Sequence, residues 1–490
     1  MDTNKLVKLL GPWSVGKGPL YTQLAVGLQK AILQGDVPAG TRLPAERPLA
    51  QALAVSRTTV VAAYDLLRED DLAESRPGSG TWVKTVSGAR SWRRQDAQAR
   101  SLTRNPLFDT LLGGPEAMID FSKASSGNPE GLDPGVFALP PDELSRLLTE
   151  HGYSPLGLPA LRRVIADDYT RMGLPTTPDQ VLVTTGAQQG ISLLAALYVQ
   201  RGDNVLIDNP TYVGAIDAFR TAGARLLPVP VEQDGLRVDL LRGLLSTARP
   251  QLFYLMPTFH NPTGTVLSDN QRREVVRLTT ESGTALVEDD TLSDLALDGT
   301  APPPLLATYT HGDAAVITIG SLSKLFWAGL RVGWVRAPES IIARLARLKV
   351  VADLGSSLLP QAIAARLVPQ IEQVREMRRR ELLPRLELLS GLLAEMLPTW
   401  SWNRPAGGPY LWVRLPHGHA GEFAQLALRY GVIVTAGTSM SVDESHTAYL
   451  RIPFFLHPET LQEGAARLAR AWEAYAPFAH AASRSVSVIV

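Results

Sequence analysis

Hydrophobic positions divide the chain into three zones. Between residues 19 and 84, Leu20, Leu24, Leu28 and Ile32 recur at helical spacing, and Gly35 and Pro38 close that helix. Leu43-Pro44 opens a second short helix, roughly 45–53, and Ala54-Val55 make a turn. Ser56 is placed to cap a third helix, 57–70, whose buried face carries Val60, Tyr64 and Leu67. A hairpin over 72–83 follows, turning at Pro77-Gly78-Ser79-Gly80. Residues 85–112 are polar and Arg-rich (Arg90, Arg93, Arg94, Arg100, Arg104) and read as a linker. From 113 to 478, apolar strand-like runs alternate with amphipathic helical stretches, the pattern of an α/β sheet. Residues 1–18 and 479–490 are left as terminal tails.

The head therefore predicts a winged helix-turn-helix. Its third helix presents Arg57, Thr58 and Thr59 in the first turn, the end from which recognition helices reach base edges. Net charge over the whole chain is zero, which hides an asymmetry. Residues 1–105 hold 15 Lys or Arg against 9 Asp or Glu, a net +6, leaving −6 on the remainder. The positive end is the end that would meet phosphates. The sequence has no cysteine, which excludes disulfides, thiolate nucleophiles and zinc–thiolate fingers. No run is long and apolar enough to span a bilayer, and no secretory leader pattern opens the chain, so a cytoplasmic protein is expected.

The sharpest chemical signal is "TIGSLSKLFWAGLRVGW", Thr318–Trp334. A strand over 314–320 is followed by Ser321, Lys324 and Arg331. A lysine of lowered pKa just past a strand end can form an imine with an aldehyde. A hydroxyl and a guanidinium beside it suit a phosphate. That combination points to pyridoxal 5'-phosphate. Thr184–Gly190 follows an apolar strand (181–183) and opens a helix, where N–H groups can meet a phosphate. "NPTY" follows a strand over 204–208, "HNPTG" follows one over 251–256, and Glu288-Asp289-Asp290 closes one over 284–287. All lie just past strands, where open α/β sheets bind ligands. Arg375, Arg378, Arg379 and Arg380 read as the solvated face of a long helix, and His417 and His419 as loop residues without metal partners.

Two resemblances complete this reading. The stretch "GTRLPAER…LA…L.VSRTTV…AY..L" resembles the DNA-binding domain of GntR-type regulators. It implies that Arg47, Ser56, Arg57, Thr58 and Thr59 face double-stranded DNA and that Gly78 sits in the wing. From about Phe121 to Tyr475, "NPTY", "HNPTG", "VEDD", "SLSK", "GLRVGW" and "YLRIPFF" resemble the fold-type I aminotransferases. This implies that Lys324 carries the internal aldimine, Asp289 pairs with the pyridine nitrogen, Asn261 bonds the ring hydroxyl and Tyr212 stacks on the ring. It also implies that Ala187, Gln188, Ser321 and Arg331 hold the phosphate, that Tyr153 reaches the phosphate of a neighbouring subunit, that Arg451 clamps a carboxylate and that Gly127 lines the substrate site. One departure stands out. The tyrosine expected two or three residues after the ring-binding aspartate is replaced by Thr291 and Leu292, with Thr291 as a partial substitute.

The whole chain resembles the MocR/GabR group of bacterial regulators. That implies a homodimer, with a head-to-tail arrangement as one option. The expected function is a PLP-dependent regulator that senses an amine, an amino acid or the cofactor itself through aldimine chemistry at Lys324. A catalytically active aminotransferase carrying a DNA-binding head is the alternative, and a cofactor-free dimerisation scaffold a third. The missing phenol favours weak or no transaminase turnover.

Overall fold

The computed structural model describes residues 1–14, 18–76, 78–84, 118–123, 127, 129–149, 151–310 and 315–486, with side chains described as far as Tyr475. The proposed linker, 85–112, lies outside the described residues.

Among the described residues the head is built from four helices and a hairpin: α1 (Thr3–Leu10), α2 (Leu20–Leu33), α3 (Glu46–Ala52), α4 (Arg57–Glu69), β1 (Ala73–Arg76) and β2 (Gly80–Val83). The periodic leucines of α2 converge with Leu49, Leu53, Val60, Tyr64 and Leu67 in one buried cluster. Each fully buried leucine contributes roughly 1.5–3 kcal/mol. Ser56 caps α4 by accepting the Thr59 N–H at 3.1 Å. The Tyr64 hydroxyl donates to Pro44 O at 2.8 Å and ties α4 to the segment before α3. The stretch read as an N-terminal tail contains α1, a correction to that reading. Asp2 caps it, and Leu6, Leu10 and Trp13 join the head's core. The chain's other end differs too, because the last helix, Pro458–Val486, runs past residue 478.

The body's first strand is β3 (Ile119–Asp120). Its main sheet comprises β4 (Val181–Thr184), β5 (Asn204–Asn209), β6 (Arg225–Glu232), β7 (Gly235–Leu236), β8 (Leu252–Leu255), β9 (Ala285–Asp289), β10 (Val316–Ser321) and β11 (Gly333–Arg336). Strand order is β4-β11-β10-β9-β8-β5-β6-β7. The run β10-β9-β8-β5-β6 is parallel, while β11 is antiparallel to both β10 and β4. Helices cover both faces, so these strands are buried on both sides and read as apolar runs rather than alternating ones.

A smaller sheet follows, β12 (Ser401–Trp402), β13 (Tyr410–Arg414), β15 (Thr435–Ala436) and β16 (Tyr449–Pro453), in the order β12-β13-β16-β15. Between β13 and β15 comes β14 (Val432–Ile433), which pairs in parallel with β3. The long helix Ile371–Met396 joins the two sheets. Its arginines are not a uniformly solvated face. Arg378 is fully buried and donates to Leu325 O at 2.8 Å, Phe326 O at 2.8 Å and Gly127 O at 2.6 Å, and pairs with Glu381 at 2.8 Å. A buried guanidinium is tolerable there because each of its three nitrogens finds an acceptor.

Candidate cofactor site and DNA-reading face

The C-terminal ends of β4, β5, β8, β9 and β10 open onto one cavity of about 490 Å³, within the usual range for a small-molecule site. Ala187, Gln188, Tyr212, Asn261, Asp289, Ser321, Lys324, Arg331 and Arg451 all line it. Seven of these nine, from Ala187 to Lys324, lie at or just past the ends of β4, β5, β8, β9 and β10, which finish on one side of the sheet, while Arg331 precedes β11 and Arg451 lies within β16 of the smaller sheet.

One end of the cavity is built for an anion. Gly186 caps the helix Ala187–Tyr198 at φ +82°, and a Cβ there would stand 2.9 Å from Arg331 Nη2. A Cβ on Gly333 would stand 2.7–2.9 Å from Gly186 and Ala187 backbone atoms. Two glycines thus let β11 close against a helix N-terminus, where N–H groups and the helix dipole favour negative charge. Arg331 donates to Thr185 O at 3.0 Å. Ser321 Oγ accepts the Ser323 N–H at 3.2 Å, and Ser323 also lines the cavity.

The cradle is pinned from behind by a network not anticipated from sequence. The Lys349 ammonium is fully buried and donates to Gln189 Oε1 at 3.1 Å, Asp353 Oδ2 at 2.6 Å and Ser356 Oγ at 2.9 Å. Gln189 Oε1 also accepts the Thr185 N–H at 2.8 Å, and Ser356 Oγ lies 3.0 Å from Thr185 Oγ1.

Lys324 lines the same cavity. Burial, reinforced by the Arg451 and Arg331 charges, lowers its ammonium to about 8, against a smaller opposing pull from Asp289. A substantial fraction is then neutral near pH 7, the form that attacks an aldehyde. Asp289 closes β9, and burial pushes its carboxyl up while hydrogen bonds pull it down. Oδ1 accepts from the Thr291 N–H at 3.1 Å and its hydroxyl at 2.7 Å, and Oδ2 accepts from the Tyr254 hydroxyl. Tyr254, hidden within an apolar strand, escaped the sequence reading. The Thr291 hydroxyl is engaged with Asp289, and Leu292 is buried in the cavity wall.

Arg451 is 3 % exposed, yet its partners are neutral. Nη2 donates to Ser122 O at 2.6 Å and Thr435 Oγ1 at 3.5 Å, and Nη1 to Asn261 Oδ1 at 3.4 Å. Its guanidinium lies 4.6 Å from the Tyr410 ring centroid, and Nε has no hydrogen-bond partner among the described residues. A buried cation so placed favours an incoming carboxylate.

Two residues stand apart from the cavity. Tyr153 is 64 % exposed, and Gly127 is exposed with its carbonyl held by Arg378. His419 caps the helix Ala420–Arg429 through Nδ1, and no cluster of metal ligands exists among the described residues.

On the head, Ser56, Arg57 and Thr58 are exposed and Thr59 half-buried at the N-terminus of α4, and Arg47 is exposed on α3. Ser56 Oγ lies 2.7 Å from Thr58 Oγ1 and 2.9 Å from Thr59 Oγ1, which orders that first turn. Gly78 takes φ +70° at the hairpin tip with open space around it. Among the described residues Arg57 makes only an exposed 3.3 Å bridge to Glu46, a weak hold that DNA could displace.

Fold and cavity define a fold-type I aminotransferase body carrying a helix-turn-helix head. Residues 140–468 match the family described as aminotransferase class I and II, and residues 20–83 match the gntR family of bacterial regulatory proteins. An uncharacterised HTH-type transcriptional regulator of Bacillus subtilis, YdfD, is 30% identical over 91% of this chain and 95% of its own length. The probable rhizopine catabolism regulatory protein MocR of Rhizobium meliloti is 31% identical over 74% of each chain. Among solved structures, the α-aminoadipate aminotransferase LysN of Thermus thermophilus, complexed with N-(5'-phosphopyridoxyl)-L-leucine, superposes with a TM-score of 0.70 at 29% identity. That match covers 79% of this chain and 100% of LysN. The chain belongs to the family of HTH-type transcriptional regulators that includes MocR, with a GntR-type domain joined to a class I and II aminotransferase domain.

Proposed function

We propose that the body is a sensor of an amine, an amino acid or pyridoxal phosphate, and that its state sets how the head engages a double-stranded operator. The head spans residues 1–84 with α1 in its core, the body runs from about 113 through its last helix to Val486, and 85–112 joins them. Pyridoxal phosphate, when bound, supplies an aldehyde that combines reversibly with primary amines and a ring that withdraws electrons. In this reading Gly186, Ala187, Gln188, Ser321 and Arg331 hold the phosphate. Asp289 holds a proton at the ring nitrogen, with Tyr254 and Thr291 fixing its two oxygens. Asn261 meets the ring hydroxyl, Tyr212 covers the ring face and Lys324 presents its amine. Arg451 receives the carboxylate of an amino-acid ligand.

The observation that carries a sensor over an enzyme is Leu292. An otherwise furnished cavity has an apolar side chain in place of the phenol that resembling enzymes direct at the ring oxygen, and Thr291 is committed to Asp289. Less stabilisation of the ring oxygen leaves binding intact and slows turnover. We further propose a homodimer acting in the cytoplasm, where Tyr153, exposed and outside its own cavity, is available to a neighbouring subunit's phosphate.

The test is borohydride reduction of the protein loaded with pyridoxal phosphate, followed by peptide mapping. Label at Lys324 in the unaltered protein, and none at that peptide in Lys324→Ala, supports the reading. Label at another lysine refutes it.

A further inference from the structure

The head rests on the part of the body that carries the smaller sheet. Lys8 Nζ reaches Glu444 Oε1 at 3.0 Å, and Asn4 Nδ2 reaches Glu444 Oε2 at 3.2 Å. Arg429 donates to Ala54 O, and Gln51 of α3 and Glu422 line the same cleft. Ala54 adopts φ +51° in the turn between α3 and α4, two residues before the Ser56 cap. The body thus grips the turn that aims the reading helix, while Arg57 and Thr58 remain exposed. The seam encloses a cleft of about 420 Å³.

A thin partition separates this cleft from the cofactor cavity. Ser122 lines both, and Thr435 lines the cleft while contacting Arg451. The partition consists of the β3 end, β14 and β15. It is held by the β3–β14 pairing and the Phe121 N–H bond to Ile433 O at 2.8 Å. From the cavity side, the Arg451 bonds to Ser122 O and Thr435 Oγ1 brace it. Glu422 and Arg429 belong to the helix that runs directly into β14.

We propose that the seam between the DNA head and the helix Ala420–Arg429 is the read-out surface of the cofactor cavity, switched by Arg451. A ligand carboxylate draws the guanidinium away from Ser122 O and Thr435 Oγ1. The partition then loses its brace, and Arg429, Glu422 and Glu444 hold the head in a different seat. The ligand shifts the head because it binds the released form of Arg451 in preference to the braced one. The polar contacts at the seam are few and partly exposed, so they select an orientation that a small change behind them can alter. This inference rests on the sensor reading above.

The test uses the full chain loaded with pyridoxal phosphate. Arg429→Ala, Glu444→Lys and the charge swap Lys8→Glu with Glu444→Lys lie outside both the cavity and the DNA-reading turn. A panel of amino acids is titrated while the cofactor's visible spectrum and operator affinity are recorded together. The unaltered protein is expected to change operator affinity fivefold or more on ligand binding. Arg429→Ala and Glu444→Lys should keep the spectral response but change affinity less than twofold, and the swap should restore the larger change. Full coupling in both single variants overturns the seam proposal. No spectral response to any ligand in the unaltered protein overturns the sensor reading, and this inference with it.

Discussion

The reactivity of Lys324 provides a quantitative test of the cavity's electrostatics. With its ammonium near 8, about one-tenth of the side chain is neutral at pH 7, some 300 times the fraction of an ordinary lysine at 10.5. The rate of covalent capture of pyridoxal phosphate should therefore rise roughly tenfold per pH unit below 8 and level off above it. Arg451→Gln removes the second-largest cause of the depression. Removing a neighbouring positive charge favours the ammonium, so the midpoint should move up, with slower capture at pH 7 and an unchanged plateau at high pH. Burial, the largest cause, remains, so the midpoint should stay below 10.5. Stopped-flow absorbance of the linked cofactor between pH 6 and 10 measures both midpoints. A midpoint near 10 in the unaltered protein, or one that Arg451→Gln leaves unmoved, would refute this account of the site.

Arg57→Ala should weaken specific operator binding by roughly 1–3 kcal/mol if the side chain pairs with a base. Equal losses on random DNA, measured by fluorescence anisotropy, would reassign it to a phosphate contact. Lys349→Met breaks three hydrogen bonds and leaves Asp353 facing a buried site. Because Asp353 is partly exposed, the loss of stability should be about 2–4 kcal/mol, at or below the range for a fully buried pair. Pyridoxal phosphate affinity should also fall, since Thr185 loses its support. Unchanged affinity by equilibrium dialysis would show that Thr185 holds its place without the network.

Much of this architecture was legible in the sequence because its signals are local. The helices of the head follow from leucines at helical spacing and from the Ser56 cap, and β5, β8, β9 and β10 fall on the apolar runs that the sequence marks as strands, whereas β6, charged at both ends and holding Pro228 and Pro230, carries no such mark. Most of the cavity's residues were legible because they sit at or just past such an apolar run, whereas Arg331 precedes β11 and Arg451 lies within β16. Features built from distant residues were not. Tyr254 looks like one more aromatic in a buried strand, and only the fold places its hydroxyl on Asp289. Lys349 and Gln189 lie 160 positions apart. Arg378 belongs to a basic, polar stretch that resembles a solvated helix face, and its acceptors come from carbonyls some 50 residues earlier and from Gly127. For α1 a signal was present, with Asp2 as cap and Leu6 and Leu10 four apart, though eight residues carry little periodic weight.

The central claim is a cavity that senses rather than turns over its ligand. One sample, loaded with pyridoxal phosphate and titrated with an amino acid that shifts its spectrum, can be assayed together for operator affinity and for keto-acid release. A stable shifted spectrum with altered operator affinity and no sustained keto-acid production is the predicted result. Steady multiple turnover with operator affinity unchanged would contradict it and make the body a working aminotransferase.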